Sequence, residues 1–207
     1  MATPDPWPDD RLPTLDAARL RLRWLERGDV PALFRVFSNV EVMTYWSRPP
    51  MLDVGEAETL LADIHSFYAA RSLAQWGIAL RESDEVIGTT TLFAIDRANA
   101  RAEIGFALGR EHWGHGYARE AVSRVIDFAF GPLGLARLEA DVDPNNARSL
   151  KLVESLGFVR EGLARERWRV GGGVQDAVLL GLLARERRGG AVNPGDRASS
   201  QVRGSDA

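Results

Sequence analysis

The stretch Glu103-Ile-Gly-Phe-Ala-Leu-Gly-Arg-Glu-His-Trp-Gly-His-Gly-Tyr-Ala118, continued to Phe130, decides how this chain folds. Glu103, Gly105 and Ala107 alternate with Ile104, Phe106 and Leu108, the period-2 pattern of a strand with one apolar face. Beyond Gly116, the residues Ala118, Ala121, Val122, Val125, Ile126 and Ala129 fall on one side of a helix. Arg119, Glu120, Ser123, Arg124 and Asp127 fall on the other, and Gly131-Pro132 stops it. Between strand and helix lies a turn with Gly114 and Gly116. Small residues there let main-chain N–H groups come close to a ligand, and the helix N-terminus adds partial positive charge. Arg110, His112, His115 and Arg119 gather around it against Glu111 and Glu120, so the local field is mildly positive. The turn suits a phosphate or pyrophosphate, although a glycine pair before a helix also fits a plain tight turn. Two other phosphate motifs are absent: no Gly-x-x-x-x-Gly-Lys-Ser/Thr occurs, and no Gly-x-Gly-x-x-Gly follows the first strand.

Working outward, Leu20, Leu22 and Trp24 alternate with Arg19, Arg21 and Arg23, predicting a half-buried strand. Asp29 is placed to cap a helix with Pro31 in its first turn and Val30, Leu33, Phe34 and Phe37 as its apolar stripe. A second helix follows Pro49-Pro50, with Ala57, Leu60, Leu61, Ile64 and Phe67 at helical spacing. Three strands are expected over 75–81, 86–95 and 101–109, separated by polar turns. After the central helix comes a strand over 136–142, then a short helix running to Leu156 with Gly157 as its C-terminal cap. A hairpin over 158–168 and 174–182, joined through Gly171-Gly172-Gly173, closes the pattern. This order predicts a mixed sheet covered by helices rather than a regular βαβαβ dinucleotide fold.

A chain of 207 residues fits one domain with a sizeable core, here expected over 14–183, with flexible tails at 1–13 and 185–207. A formal net charge of -3 gives no reason to expect nucleic acid or an anionic membrane as partner. No apolar run approaches the roughly 20 residues needed to span a bilayer, and the Pro/Asp-rich start lacks signal-peptide features, so a cytoplasmic location is expected. The chain has no cysteine, which removes disulfides, thiolate zinc sites and a cysteinyl acyl intermediate. With only His65, His112 and His115 available, no metal site is expected.

The segment Trp113-Gly-His-Gly116-Tyr-Ala118 resembles the acetyl-CoA-binding core of the GNAT acyltransferase superfamily, whose pattern is Gln/Arg-x-x-Gly-x-Gly/Ala, with Trp113 in place of Gln/Arg. Trp-Gly-x-Gly-Tyr-Ala-x-Glu-Ala is similar to the branch of the ribosomal-protein N-terminal acetyltransferases RimJ and RimL. Arg19-Leu-Arg-Leu-Arg23 resembles that branch's opening strand, and Asn146-x-x-Ser149 followed by Leu156-Gly157-Phe158 its second cofactor segment. The resemblance covers roughly residues 14–183. It implies an α/β fold: a mixed, mostly antiparallel sheet of six to seven strands with a splayed central parallel pair, flanked by about four helices. It also implies acetyl-CoA as co-substrate. The pantetheine arm would pair with the strand at Phe106, Ala107 and Leu108. The pyrophosphate would rest on main-chain N–H groups of Trp113, Gly114, His115, Gly116, Tyr117 and Ala118. Homodimers are compatible with this branch.

Moving an acetyl group to an amine requires a neutral amine, a stabilised oxyanion and a protonated leaving thiolate. Glu103 is the expected base, resembling the glutamate that several GNAT enzymes use; a solvated or Arg101-paired glutamate is the competing reading. Ser149 is the expected catalytic acid or thiol-side hydrogen bonder, although serine in a first helical turn is also ordinary capping chemistry. Asn146 is expected to cap the helix that follows and, as the resemblance implies, also to hydrogen-bond the pantetheine amides; a plain N-cap is the competing reading. Glu139, Glu161 and Asp176 stand as reserve bases or substrate contacts, and Tyr45 and Trp46 as the wall of the acceptor groove. Trp76 and Trp168 read as core or rim aromatics, and His65 as packing or surface. A protein or peptide α-amine leads as acceptor, because a group with pKa near 8 is about 10% neutral at pH 7 whereas a lysine is below about 0.1%. The alternatives are a small amine such as an aminoglycoside or polyamine, which an acidic groove would favour, and a non-catalytic acyl-CoA-binding regulator.

Overall fold

Alternation along the chain sorts side chains onto two faces of one sheet, and the two faces carry separate cores. A computed structural model describes residue 7 and residues 10–189. Its strands are β1 (Leu15–Asp16), β2 (Leu20–Arg23), β3 (Leu73–Leu80), β4 (Val86–Asp96), β5 (Arg101–Leu108), β6 (Arg137–Val142), β7 (Val159–Val170) and β8 (Gly173–Leu183). They form one eight-stranded sheet in the order β1-β2-β3-β4-β5-β6-β8-β7, with every neighbour antiparallel except β5 and β6. The strand beyond the expected six to seven is β1, two residues paired with β2. The helices are α1 (Val30–Phe37), α2 (Val40–Met43), α3 (Val54–Ala69), α4 (Tyr117–Phe130), α5 (Ala147–Ser155) and α6 (Ala184–Gly189).

One core lies under α4 and α5, where Trp76, Ile78, Ile104, Leu138, Val122, Val125, Ile126 and Val153 pack together. The other lies under α1, α2 and α3, built on Leu25, Leu33, Phe37, Ile64, Ala79 and Ala107. Alternate residues of β3 and β5 supply the two cores, as a period of 2 requires.

Three details differ from the sequence reading, each for a local reason. Asp29 does begin α1, but its carboxylate makes no cap bond to it. It accepts instead from Arg23 at 2.8 and 2.9 Å and from the N–H of Glu26 at 2.8 Å, a pairing that a buried charge needs. On α3 the buried stripe is Ala57, Leu61, Ile64 and Tyr68, leaving Phe67 48% exposed, because Tyr68 sits one helical repeat beyond Ile64. The short α2 arises where Asn39 accepts from the N–H groups of Glu41 and Val42.

The expected tails fall mainly on residues 1–6, 8–9 and 190–207, which lie outside the described residues. Of the rest, Leu12 is buried in the core, Trp7 stacks on Tyr68 at 5.4 Å, and residues 184–189 continue β8 as α6. The β7–β8 hairpin turns through Gly171 and Gly172, at φ 55° and 82°. Two consecutive positive φ angles are what a two-residue turn of this twist demands, hence the glycines.

Candidate functional site

The site begins where two strands part company. β5 and β6 run parallel and in register only over Arg101↔Arg137, Ala102↔Leu138 and Glu103↔Glu139. Beyond that point β5 stays with β4 as far as Leu108↔Gly88, while β6 follows β8 to Val142↔Val178. From Ile104 onward the β5 edge therefore turns away from β6, and a cleft of about 400 Å³ opens between them.

This cleft brings together Glu103, Phe106, Asn146, Ser149, Tyr45 and Trp46 from the expected site, together with Trp168 and Asp176. Ala107 and Leu108 lie outside it; their side chains are buried in the two cores while their main chain continues the β5 edge. Trp76 is fully buried and donates its indole N–H to the carbonyl of Pro13 at 2.9 Å, a core role. His65 stacks on Trp24 with ring centres 4.5 Å apart and its Nε2 lies 2.9 Å from the Leu25 carbonyl, a packing role.

Glu103 is half-buried at the point of separation. Burial holds its carboxyl above the usual glutamate range, the charge of Asp141 adds to the effect and Glu139 adds less, while Arg167 and Arg101 oppose it. The reserve bases are otherwise engaged. Glu139 accepts from Arg137 at 2.8 Å and Arg101 at 3.1 Å. Glu161 is bound by Arg137, whose hydrogen bond holds its carboxyl below the ordinary range. Neither lines the cleft. Asp176 does, but it accepts the N–H of Glu166 at 2.8 Å and so fixes the β7 wall.

At the start of α5, Asn146 accepts the N–H of Ser149 at 3.1 Å, the N-cap expected of it. Tyr45 is exposed at the mouth, and Trp46 meets Phe37 edge-on at 5.4 Å. Arg48 also lines the cleft; burial holds its guanidinium below the usual range, and its buried Nη2 has no partner.

Past Leu108, the turn into α4 has a separate construction. Gly114 and Gly116 take φ of +81° and +79°, the left-handed region that glycine enters without strain. Gly116 is the residue before α4, so the helix opens on main-chain N–H groups without a side-chain cap. Trp113 donates its indole N–H to the Leu108 carbonyl at 2.8 Å, tying the turn to the end of β5. The guanidinium groups of Arg110 and Arg148 lie 4.9 and 5.0 Å from its ring centre. Trp113 thus joins the α4 turn to the start of α5, a bridging task in place of the Gln or Arg of the family pattern. On the other side Arg19 donates to the His115 carbonyl at 2.9 Å and grips Glu120 through its main-chain N–H and guanidinium. Open N–H groups, positive φ glycines and flanking arginines fit a pyrophosphate, and the freed β5 edge fits the amide arm of acetyl-CoA. Among the described residues no cluster of His, Asp and Glu could hold a metal ion, and no helix is long and apolar enough to cross a membrane.

Asp141, Arg167, Arg148 and Arg48 were not singled out from the sequence. For Asp141 a signal existed: Arg137, Glu139 and Asp141 are polar at every second position of a central strand, on the same face as Glu103.

Comparison with known proteins places this geometry among acetyltransferases. Residues 19–159 match the family model described as the acetyltransferase (GNAT) domain. The chain is 42% identical over 176 residues to the uncharacterized N-acetyltransferase p20 of Bacillus licheniformis, covering 85% of this chain and 99% of that protein. It is 33% identical to YdaF of Bacillus subtilis, provisionally named a ribosomal N-acetyltransferase, over 82% of this chain and 94% of that one. The crystal structure of spermidine N-acetyltransferase from Vibrio cholerae, in complex with CoA and spermine, superposes with a TM-score of 0.73 at 28% identity, over 82% of this chain and 98% of that one.

Proposed function

Because this chain belongs to the GNAT acetyltransferase family, an acetyl-CoA-dependent N-acetyltransferase, we propose that its acceptor is a cationic primary amine, a small polyamine-like molecule ahead of a peptide N-terminus. One observation carries the choice. Glu103, Asp141, Asp143 and Asp176 all line the cleft, and Arg48 is the basic residue among the lining side chains. Low-dielectric walls strengthen such a field, which concentrates a multiply charged amine more than a singly charged one. Phe37, Tyr45, Trp46, Phe93 and Trp168 add aromatic surface against which an alkyl-ammonium chain packs. The Vibrio cholerae spermidine N-acetyltransferase, solved in complex with CoA and spermine, supports this reading.

In this account Glu103 takes one proton from the incoming ammonium, directly or through a water. The freed lone pair attacks the thioester carbon; the C–N bond forms and the C–S bond breaks. A second proton goes from nitrogen to the departing sulfur, near which Ser149 lies as hydrogen-bonding partner, and the third remains as the amide N–H. Main-chain N–H groups on the β5 edge that faces away from β4, at Phe106 and Leu108, hold the oxyanion; the Ala107 main chain faces β4. A carboxyl raised toward neutrality is a better base than one at the ordinary value.

The α-amine of a peptide is the second reading. Its favouring observation is that Tyr45 is 40% exposed at the mouth, where a longer chain has room to leave, and the provisional name of YdaF points the same way. Thiol release from acetyl-CoA across a panel of spermidine, an aminoglycoside and free-amine peptides tests the choice. The polyamine reading predicts the highest kcat/KM for spermidine, falling steeply as salt screens the cleft. Peptides outrunning polyamines at every salt concentration would transfer the assignment to the α-amine. Binding of acetyl-CoA with no thiol release from any amine would leave a regulator.

A further inference from the structure

Of the three polar residues that β6 turns toward the Glu103 face, two are spent on one another: Arg137 bonds Glu139 and Glu161. Asp141 differs. Its side chain is only 10% exposed, and Oδ2 accepts from Arg167 Nε at 2.9 Å. Its Oδ1 is buried without a partner, and the residue lines the cleft beside Glu103. A buried carboxylate oxygen lacking a donor is destabilising, so its retention needs an explanation outside packing.

The opposite wall is built around that carboxylate. β7 and β6 are not neighbours; β8 lies between them. Arg167 reaches across because the β7–β8 register slips between Ala164 and Trp168. Glu166 occupies the bulge at φ +52°, a conformation that is costly for a residue with a Cβ, and its N–H is held by Asp176. The same bulge lays the Arg167 guanidinium 5.3 Å from the centre of the Trp168 ring, which also lines the cleft. The bulge held by Asp176 thus sets Arg167 on Oδ2 of Asp141, and Oδ1 is left without a donor in a residue that lines the cleft.

We propose that Asp141 is the anchor of the acceptor nitrogen. With Arg167 holding Oδ2, Oδ1 accepts an N–H of the incoming ammonium and stations the nitrogen between Asp141 and Glu103, where β5 and β6 separate. Asp141 orients; Glu103 takes the proton. Selection then requires an N–H and a positive charge at the reacting nitrogen. This assignment rests on the amine-acetyltransferase reading above, and its tests are arranged to fail separately from it.

Two measurements decide it, using the full chain with Asp141→Asn, Arg167→Gln and Glu103→Gln. The first is acceptor KM for spermidine and for tetra-alanine at saturating acetyl-CoA. Asp141→Asn is expected to raise it roughly 10- to 100-fold by removing a charged hydrogen-bond partner, with acetyl-CoA KM unchanged. Arg167→Gln, which spares Oδ1, moves acceptor KM by less than about 3-fold. The second needs no turnover: methylammonium stabilises the wild type and Glu103→Gln against heat but not Asp141→Asn, and tetramethylammonium, with no N–H, stabilises none of them. If Asp141 only latches the hairpin, Asp141→Asn and Arg167→Gln lose the same melting temperature and keep wild-type acceptor KM, which overturns the proposal. An ammonium shift missing from the wild type, or retained by Asp141→Asn, also overturns it. Absence of thiol release from every amine, with the methylammonium pattern intact, would instead sink the catalytic reading and leave the anchor standing.

Discussion

The proposed donor and acceptor ends of this site are built from different materials. At the α4 turn the groups offered to the ligand are main-chain N–H groups, set by two left-handed glycines and a helix N-terminus. Side chains there act as fasteners: Trp113 on the Leu108 carbonyl, Arg19 on the His115 carbonyl. In the cleft between β5 and β6 the groups offered are carboxylates, chiefly Glu103 and Asp141. Main-chain recognition survives the replacement of a neighbouring side chain, which explains how Trp113 stands where the family pattern has Gln or Arg. Side-chain recognition does not survive such replacement. On this construction a side-chain replacement at the turn is expected to leave acetyl-CoA binding in place, whereas one or two replacements in the cleft are expected to change the acceptor.

That contrast is exposed to test by substitutions that strike one end alone. The largest effect is expected from Glu103→Gln, which lowers kcat/KM about 100-fold or more by removing the base, while the thermal shift given by acetyl-CoA stays at the wild-type value. Loss of that shift would show that the two ends are not separable. Next comes Gly116→Val: at φ +79° a β-branched residue costs on the order of 1–2 kcal/mol, so acetyl-CoA binding weakens roughly 10-fold while acceptor KM holds. Arg19→Gln frees the His115 carbonyl and should weaken acetyl-CoA a few-fold, on the order of one hydrogen bond, as calorimetry would read directly. Asn146→Ala removes the N-cap of α5, costing about 1 kcal/mol and roughly 2–4 °C of melting temperature.

The smallest expected effect is on stability against pH. Since Glu103 is held above its ordinary range by burial and by Asp141, its ionised form is the costly one in the folded state. That cost is absent below the ordinary glutamate value and complete once pH has risen through the raised one. Glu103→Gln removes it, so the variant gains melting temperature at pH 8 and none near pH 4. A loss at pH 8 would mean that the carboxylate stabilises the fold.

The donor end was legible in the sequence because its signals are local: an alternating strand, two glycines and a helix with one apolar stripe within 103–130. Asn146 was legible for the same reason, as a capping residue three before Ser149. Strand order was not local. No pattern in β7 or β8 says that β8 inserts between β6 and β7, and the parallel β5–β6 pair came only with the family resemblance. β1 and α2 span two and four residues, too short for any period to register. Asp141 was hidden by the same non-locality. Its polar alternation with Arg137 and Glu139 could be seen, but its meaning depends on Arg167, brought across β8 by a bulge centred on a left-handed Glu166. Phe67 and Tyr68 show the finer limit, adjacent aromatics of which packing chose the second.

The most direct test of the account is the pH dependence of kcat/KM with spermidine for the wild type and Glu103→Gln. The wild type is expected to show an acid limb set by a group titrating above the ordinary glutamate range, and Glu103→Gln to lose that limb along with most of the rate. An unchanged limb and an unchanged rate in the variant would contradict it and remove Glu103 from the chemistry.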